Sequence, residues 1–157
     1  MTAALRGYRI VKKKHQATCF SGEGTRLYGG RWNSRGKRCT YLAASESLAV
    51  LEVMVHVADY RLLKHYVLFE LPLHAADIRY VPDDLLPRGW ANDPAPPQTA
   101  ALGDGWLDSG DSVALSVPSA VIPRERNYVL NVDHDDYERV IDGARLLAFT
   151  PDPRLAK

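Results

Sequence analysis

At 157 residues, 46% hydrophobic and 25% charged, the chain has the size and balance of one globular domain. A net charge of +1 gives no global electrostatic drive toward nucleic acid, no apolar run approaches the roughly 20 residues that span a bilayer, and Cys19 and Cys39 cannot build a disulfide framework. The opening MTAALRGYRIVKKKH places charges where a secretory leader needs a continuous apolar stretch, so the expectation is a cytoplasmic protein.

In chain order, YRIV (8–11) reads as a short strand that stops at the charged run Lys12–His15. The segment from Cys19 to Gly36 is small, polar or basic and unusually rich in glycine, longer than most structureless connections. Its buried-type residues Phe20, Tyr28 and Trp32 mark it as an ordered site loop. RCTYLA (38–43) is the strand it enters, and SESLAVLEVMVHVADY (45–60), with Ser45 as N-cap, is the one firm helix. HYVLFELPL (65–73) and DIRYV (77–81) read as strands. The proline-rich stretch 81–106 has room for one short helix, and Pro94, Pro96 and Pro97 read as a surface linker. SVALSVP (112–118), NYVLNV (127–132) and RLLAF (145–149) complete the strands. The sum is an α+β chain, mostly β, forming a single domain over 1–157 with no internal repeat.

Two segments carry candidate chemistry. YGGRWNSRG (28–36) is either a tight turn, which uses glycine for positive φ, or a ligand loop in which bare backbone approaches an anion beside the Arg31 fork. In the helix, Glu52 and His56 are the polar positions of an otherwise apolar run from Leu48 to Ala58, four apart on one stripe. They read either as a solvent-facing pair on a core helix or as a carboxylate held rigidly at the wall of a cleft.

Other patterns carry less. Lys12–Lys14 with Arg31, Arg35, Lys37 and Arg38 form either a basic patch for phosphate or RNA or a solvated face. The histidines lack HExxH spacing and the cysteines CxxC spacing, so no metal is expected, and DHDDYE (133–138) reads as an acidic surface turn. Walker, GxSxG and GxGxxG signatures are absent.

The order FSGEGTRLYGGRWNSRGKRCTYLAASESLAVLEVMVHV (20–57), SVPSAVIPRERNYVLNVDH (116–134) and FTPDPRL (149–155) closely resembles the RES-domain family, toxins of bacterial RES–Xre toxin–antitoxin pairs. The resemblance implies a fold like that of ADP-ribosyltransferases and diphtheria-type toxins. It also implies depletion of NAD by cleavage of its nicotinamide–ribose bond, with water or inorganic phosphate as acceptor. By motif it assigns catalytic roles to Arg31, Tyr41, Glu52 and Ser119, and NAD contacts to Gly29, Gly30, Arg31, Trp32 and Tyr41. Trp32 has an equally plain reading as a core-edge residue. His134 is assigned less directly, because Asn131, Val132 and Asp133 precede it where the family often has asparagine-proline. The implied partner is an Xre-family antitoxin whose C-terminal end often enters the NAD cleft; neither a membrane nor a nucleic-acid partner is expected. A protein ADP-ribosyltransferase using the same pocket is the alternative, and an RNA-binding or ribonuclease toxin a weaker one.

Overall fold

The computed structural model describes residues 4–156; residues 1–3 and 157 of the expected domain, and with them the first residues read for a leader, lie outside that range. Seven strands, β1 (Leu5–Lys12), β2 (Cys39–Ala43), β3 (Tyr66–Leu73), β4 (Ile78–Tyr80), β5 (Ala114–Pro118), β6 (Arg126–Asn131) and β7 (Arg145–Leu147), form one sheet in the order β4-β5-β6-β2-β1-β3-β7. β4 and β5 run parallel and the other described neighbours antiparallel. Each strand overlaps a run of apolar and β-branched residues visible in the sequence, and the α+β expectation holds.

The sheet is nearly divided at its middle. β1 pairs β3 from Leu5↔Leu73 to Lys12↔Tyr66 and β2 pairs β6 from Cys39↔Asn131 to Ala43↔Asn127, whereas β1 and β2 meet at Tyr8↔Ala43. Backbone groups along this seam need other partners. Arg9 supplies one set: its Nη1 donates to the Tyr41 carbonyl at 2.9 Å and its Nε to the Cys19 carbonyl at 3.0 Å. Burial drives the Arg9 pKa below its ordinary value, so this guanidinium is held by carbonyl dipoles rather than by a carboxylate.

Four α-helices flank the sheet: α1 (Glu23–Tyr28), α2 (Glu46–Met54), α3 (Pro97–Ser109) and α4 (Tyr137–Asp142). On one face α4 buries Tyr137 and Val140 against Leu42, Leu71 and Leu130. The opposite face carries two separate apolar clusters. α2 lies over the seam, with Leu48 and Ala49 against Ile10, Ala43 and Leu68. Trp32 and Trp106 of α3 pack on Leu115, Val117 and Val129. The space between those clusters is polar.

The helical expectations change: α1 forms inside the segment read as an ordered loop and α4 at the acidic DHDDYE turn, and two further segments differ in extent. The helix expected over 45–60 begins as predicted, with Ser45 Oγ accepting from the Leu48 N–H at 3.1 Å, but ends at Met54, which leaves His56 beyond it. Leu51 and Val55 are exposed, so no packed face extends the helix into the β-branched Val53-Val55-Val57 tail. The expected all-round apolar core helix is therefore a half-covered one, and His56 shares no stripe with Glu52. The proline-rich linker, conversely, contains the longest helix. Pro97 opens α3 at a position where its missing N–H costs nothing, and Gly110, at φ 64°, ends it. Among the described residues no helix is long and apolar enough to cross a membrane.

Candidate active site

The GGRWN block folds as a tight turn. Gly29 ends α1 with φ 70°, and the Gly30 N–H and Asn33 carbonyl close the turn at 2.9 Å with Arg31 and Trp32 at its tip. Asn33, 1% exposed, pins it: Nδ2 donates to the carbonyls of Thr25, Ser34 and Lys37, and Oδ1 accepts from the Tyr41 hydroxyl at 2.6 Å. That hydroxyl also accepts from the Trp32 N–H at 3.2 Å. A Cβ on Gly30 would stand 2.8 Å from both Asn33 Oδ1 and Tyr41 Oη, so the bare backbone there admits the Tyr41–Asn33 bond. Gly103 of α3 does the same for the tip, because a Cβ there would overlap the Trp32 carbonyl oxygen at 1.7 Å.

Each expected loop residue thus has a defined place. Trp32, 3% exposed, packs in the cluster with Trp106, Leu115, Val117 and Val129, an arrangement that fits the core-edge reading. Tyr41 is half-buried, its hydroxyl committed to the turn and pushed well above its usual pKa by burial. Arg31 Nη1 donates to the carbonyls of Trp90 at 2.7 Å and Asn92 at 2.8 Å. Its described hydrogen bonds use that nitrogen alone, which leaves the Nε–Nη2 edge of the guanidinium to meet an anion.

A second group assembles around Glu52. Ser119, wholly buried just past β5, donates to Glu52 Oε1 at 2.6 Å, and Asn127 Nδ2 from β6 donates to the same oxygen at 2.7 Å. Ser119 Oγ accepts the N–H groups of Val121 and Ile122, both at 3.0 Å. Its one proton and both lone pairs are engaged within the protein, with Glu52 as the acceptor. Both donors converge on Oε1; no described hydrogen bond uses Oε2. Asn127 Oδ1 is buried without a partner, the one such side-chain atom among the described residues. A buried amide oxygen left unpaired is costly, which marks a place where a ligand donor would be accepted.

The two groups share one sheet face. Asn127 opposes Ala43 and Val129 opposes Tyr41, so Tyr41 and Asn127 are diagonal neighbours on adjacent strands, about 7–8 Å apart at the backbone. On this face Tyr41 packs against the Trp32 cluster and meets the turn that carries Arg31, and Asn127, diagonal to Tyr41, holds Glu52 of α2. Asn127 and Asn33 are the functional-looking residues that sequence reasoning missed. Asn33 lay inside the GGRWN block. Asn127 had one faint signal, an amide at an inward position of an otherwise apolar strand. His134 sits at the turn into α4, where Nδ1 accepts the Asp136 N–H at 3.0 Å. Among the described residues no three His, Cys, Asp or Glu side chains gather to hold a metal.

Known proteins match this chain over nearly its whole length. A family model described as RES domain matches residues 6–152. A protein named Toxin Res from Yersinia enterocolitica is 39% identical over 148 residues, covering 94% of this chain and 97% of that protein. A protein named Prs ADP-ribosylating toxin from a Sphingobium species is 33% identical over 150 residues, covering 92% and 91% respectively. Among solved structures, the M. tuberculosis MbcT–MbcA toxin–antitoxin complex contains a chain that superposes with a TM-score of 0.72 at 21% identity, over 99% of this chain and 88% of that one, a likeness of fold.

Proposed function

The chain belongs to the RES domain family, and from that premise we propose that it is the toxin of a toxin–antitoxin pair, an enzyme that cleaves the nicotinamide–ribose bond of NAD. The observation that carries the chemistry is the Glu52 carboxylate, held through one oxygen by Ser119 and Asn127 and with no described hydrogen bond on the other. When the ribose C1′–N bond breaks, its electron pair leaves with nicotinamide and positive charge develops on the ribose. A fixed carboxylate gains more from that charge than from the neutral ground-state ring, so it lowers the barrier rather than merely binding substrate.

The remaining contacts fit the two ends of NAD. Asn127 Oδ1 is an acceptor suited to a ribose hydroxyl or the carboxamide N–H of nicotinamide. The Nε–Nη2 edge of Arg31 suits a pyrophosphate, and the Tyr41 ring supplies a face for the flat pyridinium. The acceptor, water or inorganic phosphate, attacks C1′ and gives up a proton. Gly29 and Gly30 act through the turn that aims Arg31.

An antitoxin partner is supported by the toxin–antitoxin complex that holds the structural neighbour. The resemblance read from the sequence makes it an Xre-family protein, acting on a toxin of the cytoplasm. The name of the Sphingobium relative favours a second reading, transfer of ADP-ribose to a protein from the same NAD site. The test is incubation of the pure chain with NAD alone, then with phosphate. Free nicotinamide without a protein target supports NAD cleavage, and a label from NAD appearing only on an added protein supports the second reading. Intact NAD in every arm overturns both.

A further inference from the structure

A concavity of about 660 Å³ lies outside the Glu52 cleft, lined by Lys12, Lys13 and Lys14, by His56 and His65, and by Val57, Ala58, Leu62 and Tyr66. None of Glu52, Ser119, Asn127, Tyr41 or Arg31 lines it. Three consecutive lysines leave the end of β1 here, all exposed, and no acidic residue lines the walls. Several surface cations elsewhere are paired: Lys37 meets Asp108, Arg38 meets Asp133, Arg79 meets Asp111 and Arg139 meets Asp77. Among the described residues, Lys12, Lys13 and Lys14 take part in no ion pair. Like charges crowded at one mouth repel one another, an arrangement that an incoming anion relieves.

The rest of the lining is largely apolar, with the half-buried ring of Tyr66, the register partner of Lys12, together with Leu62, itself 44% exposed, and Val57. Cations next to an aromatic–aliphatic surface match a ligand with a phosphate group joined to a flat ring. The volume lies in the range of small-molecule sites. A net charge of +1 and the clustering of the three lysines at one concavity count against a polynucleotide, which would need a basic track. We propose that this concavity binds the diphosphate of a nucleoside diphosphate, with Lys12–Lys14 on the phosphates and the base against Tyr66 and Leu62, at a site separate from the Glu52 cleft. The inference does not rest on the NAD reading.

The test titrates the full chain with ADP, pyrophosphate and adenosine by calorimetry, in the wild type, in Lys13→Glu/Lys14→Glu and in Glu52→Gln. Both lysines are exposed, so the double variant should melt as wild type does, and a melting curve verifies it. ADP is expected to bind the wild type and Glu52→Gln alike and to lose at least tenfold in affinity in the double variant, while pyrophosphate binds more weakly and adenosine hardly at all. The same double variant is expected to release nicotinamide from NAD at the wild-type rate and KM. Undiminished ADP binding in the double variant, or none in the wild type, overturns the site. Equal binding of pyrophosphate and ADP overturns the nucleoside part, and a raised KM for NAD overturns its separateness. If the wild type leaves NAD intact, the ADP titration still reads the pocket.

Discussion

Ser119 donates its only hydroxyl proton to Glu52 Oε1 at 2.6 Å while accepting the N–H groups of Val121 and Ile122. A side chain so saturated holds the carboxylate from beneath. The turn after β5 thereby fixes an oxygen on a helix more than sixty residues earlier in the chain.

Glu52→Gln keeps the shape and an oxygen able to accept from both Ser119 and Asn127, so its melting temperature should match the wild type. It lacks the negative charge, and the rate of nicotinamide release should fall by at least about a hundredfold, the usual loss for one electrostatic group. Wild-type turnover in this variant would remove Glu52 from the chemistry.

Ser119→Ala leaves the carboxylate charged but held by Asn127 alone, and strands two N–H groups. We expect kcat to fall by about tenfold with KM little changed, and a stability loss of about 1–3 kcal/mol from the unpaired donors. Ser119→Thr, which restores a hydroxyl, should recover part of kcat. A fall in NAD affinity with kcat preserved would show instead that Ser119 touches the substrate.

Tyr41→Phe keeps the ring and removes the hydroxyl that joins Asn33 Oδ1 to the Trp32 N–H. Leaving those two buried groups unpaired should cost about 1–3 kcal/mol, which at this chain length lowers the melting temperature by roughly 3–10 °C. NAD binding should weaken through a loosened Arg31 turn while Tyr41→Ala loses more, because the ring face goes too. A Phe variant that melts as wild type does would show that the turn stands without the hydroxyl.

Gly103→Ala is a one-carbon change on an interior helix turn that would ordinarily raise helix propensity. Here its Cβ falls on the Trp32 carbonyl oxygen, so α3 and the turn must part. The expected result is a lower melting temperature and loss of nicotinamide release, whereas Gly105→Ala, whose Cβ meets no neighbour, should be neutral or slightly stabilising. Equal melting of the two variants would contradict the close approach.

Acid should act partly through Asp77, which Arg139 holds at 2.8 Å. The hydrogen bond from Arg139 lowers the Asp77 pKa against the opposing effect of burial. A depressed carboxylate pKa stabilises the fold fully above the unfolded value of about 3.9 and less as pH falls through the folded value. Asp77→Asn should therefore be less stable than wild type at pH 7, and the gap should close below about pH 4. Melting curves across that range check the sign, and a gap that widens in acid would refute it.

The strand pattern was legible because each of the seven strands carries its own run of apolar, aromatic or β-branched residues between turn-forming ones. The helices were less so, for reasons local to each. Gly103 and Gly105 make α3 resemble a loop, yet Gly103 is there for packing against Trp32. At α2 the apolar run continues past Met54, but burial of Leu48 and Ala49 supports only the first turns. At the site, Glu52 stood out as a charge in an apolar helix and Arg31 as a cation among glycines. Asn127 did not, since its importance comes from β6 lying beside β2, a non-local pairing that no window of sequence contains. The split of the sheet was invisible for the same reason.

That split has a pharmacological reading. Glu52 rides on a helix seated over the β1/β2 seam, and the groups that steady its carboxylate lie just past β5 and on β6, on one side of the division. The seam itself is closed at Tyr8↔Ala43 and by Arg9. If the protein cleaves NAD as proposed, a compound seated at this seam would act on the support of the carboxylate from outside the cleft, in a place where NAD offers it no competition.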